Sequence, residues 1–295
     1  MARLKFHPRS WLDSLLTYPR FIGTIKPELL GHCASELAPR LEMHQAAWWP
    51  KRLEFPVARR LLAISPHPDD EAIGCGGILL AHAGKAEICI VNVYNGDGGG
   101  ALEDGVWHND PDYKARLVAM RQRELDRVAE TLQATQVTRF GVSDCNGVPG
   151  ETEVVALRRV LREFAPEVVL LPWLLDTHPH HKATNQIFSE AVQDLDVLVL
   201  AYEIWGLLSP NAFFDITDLL DRKLQLIALY TSQVRTVDYI GYAEGLARVR
   251  AFHHPVRDRR VGAVEAYFAL PSRDYRQLTR HALARHRVTN FNASP

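Results

Sequence analysis

Between Arg60 and Val234 the chain alternates between two kinds of apolar pattern. The first kind is a short, nearly uninterrupted apolar run: "RLLAIS" (60–65), "AEICIVNVY" (86–94), "QVTRFGV" (136–142), "EVVLLPW" (167–173) and "DVLVLAYEI" (196–204). Such runs have the length of strands and leave no polar face for water. The second kind spaces its apolar residues three and four apart. In "YKARLVAMRQRELDRVAETLQ" (113–133), Leu125, Val128, Ala129 and Leu132 recur in this way. Further helices are predicted over 71–84, closed by Gly84, and over 151–165, 182–194 and 217–234. Strand and helix alternate, and the strands are apolar on both sides. The pattern therefore predicts an α/β fold, a Rossmann-like, mostly parallel sheet with helices on both faces. Ahead of it, Pro50 and Pro56 punctuate the chain. Residues 1–58 read as an N-terminal helical extension packed on the core, with Trp11, Leu12, Leu15 and Leu16 on one face. Residues 59–295 read as the main domain.

Composition narrows the class. Hydrophobic residues make up 47% and charged residues 23%, as in an ordinary globular protein. A net charge of −1 gives no broad field for nucleic acid, so none is expected as a partner. The ends are basic, with ten Lys and Arg against five Asp and Glu in residues 1–60 and a tail rich in Arg. This admits a peripheral membrane contact or an anionic substrate group. The four cysteines are widely spaced and form no CxxC pair, which fits a reducing compartment. No run approaches the roughly 18 apolar residues of a membrane span. The N-terminus lacks a signal peptide's apolar centre. A cytoplasmic location is the expectation.

The chemistry concentrates in two loops. In open parallel sheets, sites form where loops leave the carboxyl ends of strands. "PHPDDE" (66–71) and "DTHPHH" (176–181) both stand there. The glycines that follow, Gly74, Gly76 and Gly77, suggest a phosphate loop only weakly. Their spacing is not GxGxxG, and a phosphate would face Asp69, Asp70 and Glu71. Helix capping accounts for one carboxylate but not for a histidine with three acids. A divalent cation accounts for more. His67 and Asp70, three apart across a turn, can converge on one ion while Asp69 stays free. A third ligand is available from His178, His180 or His181. Two imidazoles and one carboxylate with an open position is a catalytic zinc arrangement, and ferrous iron suits the same donors.

"PHPDDE" followed by "GCGG", with a later "HPHH", resembles the PIG-L/LmbE-like family of zinc-dependent N-acetylglucosaminyl deacetylases. "RQREL", "FGVSD" and "FDITDLLDRKLQLIALYTSQ" extend the resemblance over about residues 60–270. It implies a hydrolase that removes an N-acetyl group from an N-acetylglucosamine-type amino sugar or its conjugate. His67, Asp70 and His181 would hold zinc. Asp69 would be the general base for a metal-bound water, and His178, as an imidazolium, would stabilise the oxyanion. Arg121, on the apolar stripe of its helix, and Asp144, at a strand end, would contact the sugar. A structural alternative pairs Arg121 with Glu124.

The chain departs from the family's HPDH by carrying His180 at the Asp position, so the partner that orients His178 is missing. Asp176 is the nearest substitute, and His180 itself is the alternative to His181 as a ligand. The "NGDGGG" loop (95–100) reads as a mobile lid or a plain connection. Two other functions compete. A hydratase of an unsaturated carboxylic acid would need cationic residues for the substrate's carboxylates. A binding protein with a relic metal site would have no use for a free Asp69.

Overall fold

The structure, a computed structural model, describes residues 50–253 and 260–283. Eight strands form one sheet: β1 (Lys51–Arg52), β2 (Arg60–Ser65), β3 (Glu87–Tyr94), β4 (Gln136–Val142), β5 (Val168–Pro172), β6 (Leu198–Tyr202), β7 (Ala212–Asp215) and β8 (Val264–Pro271). Their order across the sheet is β1-β7-β8-β6-β5-β2-β3-β4. Only β8 runs against the others, pairing antiparallel with both β6 and β7. The helices are α1 (Asp70–His82), α2 (Pro111–Thr131), α3 (Glu151–Phe164), α4 (Pro179–Ala191), α5 (Leu220–Ala228), α6 (Thr231–Val234), α7 (Tyr239–Phe252) and α8 (Ser272–Leu283). The expected mostly parallel sheet with helices on both faces is what the chain forms.

The two faces are filled by alternate residues of the same strands. Leu61 and Ala63 of β2 pack with α1, α2, α5 and α7, through Ile78, Leu125, Leu226 and Ala243 among others. Leu62 and Ile64 point the other way, into a layer with Leu157 of α3, Phe188 of α4 and Tyr275 of α8. Strands buried on both sides cannot alternate apolar with polar residues, which explains the continuous runs in the sequence.

Topology sets the position of the site. From β2 the chain steps outward through β3 to β4, then returns across β2 to β5 and continues to β6. The direction of winding therefore reverses between β2 and β5. At such a switch point the loops leaving adjacent strands diverge and open a crevice. Those two loops are "PHPDDE" and "DTHPHH".

The glycines after "PHPDDE" serve packing. α1 is broken at Cys75, whose backbone is not helical (φ −142°, ψ 20°). The second half therefore begins with free N–H groups buried in the core, which need acceptors. Glu265 of β8 supplies them: its Oε1 accepts from Gly77 N at 2.7 Å and its Oε2 from Ile78 N at 2.8 Å. A Cβ on Gly77 would stand 2.9 Å from Glu265 Oε1, and one on Gly74 would stand 2.1 Å from the ring of Tyr202. Glycine is required here for close approach, not to cradle a ligand.

Residues 50–53 continue into the sheet through the β1–β7 pairing and the bond from Leu53 N to Phe213 O (2.7 Å). The rest of the expected helical extension, residues 1–49, lies outside the described residues, as does the end of the basic tail. No helix among the described residues is long and apolar enough to cross a membrane.

Candidate metal and active site

The first loop is held in shape by the backbone of His67. Its N–H donates to Asp70 Oδ2 (2.8 Å), and its carbonyl accepts from Ser65 Oγ (2.5 Å) and from Asp70 N (3.3 Å). Ser65 Oγ also lies 2.7 Å from Glu71 Oε2, and Tyr230 donates to the other oxygen of Glu71. The third acid of the motif is thus a wholly buried strut under the loop. Asp69 occupies the cap position of α1, but its side chain makes no capping bond and its φ is +152°. A non-glycine residue pays of order 1–3 kcal/mol for such a backbone. That cost goes with a side chain turned away from the helix.

The second loop is built by Asp176. Its Oδ1 accepts from His178 N at 2.9 Å. His178 then caps α4, its Nδ1 accepting from His180 N at 3.2 Å, and Pro179 takes the first helical position. Proline fits there because its missing N–H is not needed. The helix begins earlier than the sequence pattern predicts, so His180 and His181 lie in its first turn.

The two loops bring the predicted ligands together. His67 Nδ1 is 3.1 Å and His181 Nε2 is 3.3 Å from Asp70 Oδ2. His181 is wholly buried, and neither of its ring nitrogens has a partner in hydrogen-bond geometry. Its Nδ1 faces Asp176 Oδ2 at 3.3 Å. An imidazole buried between two carboxylates and left without a hydrogen bond is poised for a cation. Burial alone would lower its pKa, but Asp70 and Asp176 outweigh that and raise it to about 9. The same contact works in reverse on Asp70: burial pushes its carboxyl up, and His181 with His67 holds it well below the ordinary range. His67, Asp70 and His181 form a set whose ligand atoms lie within 4.8 Å of one another, and His67, His178 and His180 form a second. The first set includes His181, whose buried ring nitrogens lack partners, and it is the better fit on that ground.

Asp69 stays outside this set. It is buried, and its Oδ2 lies 3.5 Å from Arg121 Nη2. Burial raises its pKa well above the ordinary carboxylate value, with Asp70 and Glu71 adding to the shift and Arg121 opposing it. A bound divalent cation would act in the same sense as Arg121.

Several expectations change at this point. Asp176 does not substitute for the missing partner of the His178 ring; it receives the backbone of His178 and faces the ring of His181. His180 turns to the first loop, its Nδ1 lying 2.8 Å from His67 Nε2 while its ring stacks on Tyr94 at 4.0 Å. Burial and the rings of His67, His181 and His180 lower the pKa of His178 to about 3. Its imidazole is therefore neutral, not the expected imidazolium. Glu124 does not pair with Arg121; it accepts from Thr231 Oγ1 and from both Ser232 N and Oγ. Arg121 is buried, and its fork is spent on carbonyls: Nη2 on Pro68 O, and Nη1 on Gly96 O and Gly99 O.

Those bonds also tie down the glycine-rich loop, which the sequence pattern presents as mobile. Asp144 Oδ1 accepts from Gly96 N at 2.8 Å, and Ala101 N donates to Ser232 O.

A cavity of about 280 Å³ opens over this cluster. Its walls include His67, Asp69, Asp70, Arg121, Asp144, His178 and His180, so the residues singled out in the sequence converge on one space, with His181 buried behind them. Trp205, Gln233 and Tyr239 complete the wall. Trp205 and Tyr239 were missed because they lie far along the chain in segments without a chemical motif, whereas Gln233 closes the stretch 214–233 that carries the resemblance but has no role assigned there. A larger opening, of about 710 Å³, at Gln193–Asp196 and Pro271–Arg276 brings together no comparable chemistry. Replacing Asp176 with Asn is expected to weaken binding of a divalent metal by about 10–100-fold, the usual cost of losing a ligand's outer partner. Competition against a chromophoric chelator measures it, and unchanged affinity would show that Asp176 does not orient His181.

Residues 62–192 match the family model described as "PIG-L: GlcNAc-PI de-N-acetylase". A diacetylchitobiose deacetylase from Thermococcus kodakarensis is 29% identical over 201 residues, 61% of this chain and 72% of that one. Two further curated relatives, 28% and 26% identical, are matched over 59% and 50% of their own lengths. Among solved structures, an N,N'-diacetylchitobiose deacetylase from Pyrococcus horikoshii superposes with a TM-score of 0.63 at 22% identity, covering 81% of this chain and 94% of that one. A 4-carboxy-2-hydroxymuconate hydratase from Pseudomonas putida gives 0.59 at 21% identity, covering 72% and 96%. At these identities the structural likeness speaks for the fold alone.

Proposed function

We propose that this chain, whose residues 62–192 match the PIG-L de-N-acetylase family model, is a metal-dependent hydrolase that removes the acetyl group from an N-acetylglucosamine-type amino sugar or its conjugate. One observation carries the reading. His67, Asp70 and His181 converge at the topological switch point, with a second carboxylate, Asp69, outside that set and buried beside them.

His67, Asp70 and His181 would hold the ion, for which zinc is our assignment, and the ion would supply Lewis acidity that polarises the acyl oxygen and acidifies water. The remaining work belongs to the chain. Asp69 is fixed by Arg121 and desolvated, so it is a stronger proton acceptor than a carboxylate in water. It takes the proton of the attacking water and returns it to the leaving amine. The lone pair on Nδ1 of His178 is engaged by His180 N–H, so the neutral ring carries its proton on Nε2. That N–H offers a hydrogen bond to the acyl oxygen as charge develops there and keeps its proton throughout. Asp144 has one carboxylate oxygen taken by Gly96 N, and its other is assigned to a sugar hydroxyl. We assign Arg121 to positioning: it holds Asp69 and the 95–100 loop together.

The hydratase reading fits less well. It requires cations for the substrate's carboxylates, and among the described residues lining the cavity the one Arg or Lys is Arg121, whose fork is already occupied.

The deciding experiment is acetate release from N-acetylglucosamine derivatives by protein loaded with zinc, stripped with a chelator, and reloaded. Release that disappears on stripping and returns on reloading is the expected result. No release from any derivative by zinc-loaded protein, together with hydration of an unsaturated dicarboxylate, would overturn the reading.

A further inference from the structure

Trp205 lines the same cavity as Asp69, Asp70 and His178, yet 49% of it is exposed. Isolated exposed apolar residues are common on protein surfaces. This one differs in how it is held. Its backbone N–H donates to Asp176 Oδ2 at 3.0 Å, and Gly206 N reaches the same oxygen at 3.2 Å. A Cβ on Gly206 would stand 3.0 Å from the Asp176 Cα, so glycine permits the close approach. The carboxylate that faces His181 therefore also fixes the backbone from which the indole projects. Tyr239 stands beside it, the two rings meeting edge to face with centroids 6.0 Å apart. Val237 and Thr236 continue the same rim.

The chemistry of the rim restricts what it can receive. Asp69, Asp70 and Asp144 line the cavity floor. Arg121 is 2% exposed and bonded to three carbonyls. Among the described residues, then, no Arg or Lys of the cavity is open to a phosphate or carboxylate. Asp69, Asp70 and Asp144 already balance Arg121 and the divalent ion that the site would hold, so no cation is left over for an anionic group. A flat indole with an adjacent phenol offers an apolar face with polar edges, which suits a ring that is itself apolar on one face and hydroxylated around its rim.

We propose that Trp205 and Tyr239 form a stacking platform for a second, uncharged sugar ring, joined to the N-acetylated residue whose amide lies over Asp69 and His178, so that the preferred substrate is a neutral oligosaccharide and not an anionic conjugate. This rests on the deacetylase reading and adds the substrate class to it.

The test uses zinc-loaded full-length protein and two readouts. The first is kcat/KM for N-acetylglucosamine, N,N'-diacetylchitobiose, the corresponding trisaccharide and N-acetylglucosamine 1-phosphate. The wild type is expected to favour the di- and trisaccharide. Trp205→Ala should lose about tenfold on these two, mainly through KM, which is the scale of an aromatic contact plus its buried area. It should leave N-acetylglucosamine unchanged, and Trp205→Phe should recover most of the loss. Leu207→Ala, which removes a residue 69% exposed and outside the cavity lining, serves as the control. Equal losses on mono- and disaccharide, no loss at all, or a preference for the phosphate would overturn the platform. The second readout is calorimetric binding of the trisaccharide, which needs no turnover. Binding weakened about tenfold by Trp205→Ala without acetate release would sustain the platform and sink the deacetylase reading. Turnover or binding indifferent to Trp205 would sink the platform and leave the reading intact.

Discussion

Asp69→Asn is expected to release acetate about 10²- to 10⁴-fold more slowly than the wild type, the range over which a positioned general base contributes. Asparagine is the informative replacement. It keeps the shape of the side chain and an oxygen for Arg121, 3.5 Å away. Because Asp69 lies outside the ligand set of His67, Asp70 and His181, zinc content and the thermal midpoint should stay at wild-type values. The loss should fall on kcat and kcat/KM together, since the proton is transferred only as the reaction proceeds. A variant that loses zinc along with its rate would recast Asp69 as a ligand. One that keeps both would remove it from the mechanism.

The second large effect is on stability. Glu265 is 4% exposed and receives four donors: Gly77 N, Ile78 N, Lys223 Nζ at 2.7 Å and Tyr267 OH at 2.6 Å. Glu265→Ala leaves the Lys223 ammonium buried without a counter-charge and uncaps the second half of α1. Breaking a buried ion pair from one side costs about 3–5 kcal/mol. For a domain of this size that corresponds to a fall in melting temperature on the order of 10 °C. A double variant, Lys223→Met with Glu265→Gln, removes both charges and keeps an amide oxygen for the helix. It should recover most of the loss, because the penalty arises from the unpaired charge and not from the absence of the pair. If the double variant is as unstable as Glu265→Ala, the cap and not the charge is what matters.

The strands at 60–65 and 136–142 were legible to the residue, and β3, β5 and β6 nearly so, because turn residues bracket continuous apolar runs. The last third of the sheet was not. β7 is four residues long, and its pairing with β8 is antiparallel and separated by about fifty residues, so no local pattern announces it. α7 buries little beyond Ala243 and Ala247 and has a weak apolar stripe, which hid it from a periodicity argument. The site divides in the same way. His67, Asp69 and Asp70 could be read from one short motif because neighbouring residues on a turn converge automatically. The partners from the second loop were readable only as a set of three histidines.

Apolar runs that must be covered on both faces were enough to dictate the architecture, and carboxylates and histidines at strand ends were enough to mark where the chemistry lies. Tertiary structure alone decided how those side chains divide their work. It faced Asp176 to the ring of His181 instead of that of His178, turned His180 toward His67, spent the fork of Arg121 on carbonyls, and set Trp205 at the mouth of the cavity. The reason is physical. A local pattern fixes which face a residue occupies, but the partner of a buried polar group is whichever complementary atom the packing brings within about 3 Å. That atom belongs to another element, placed by the winding of the whole sheet.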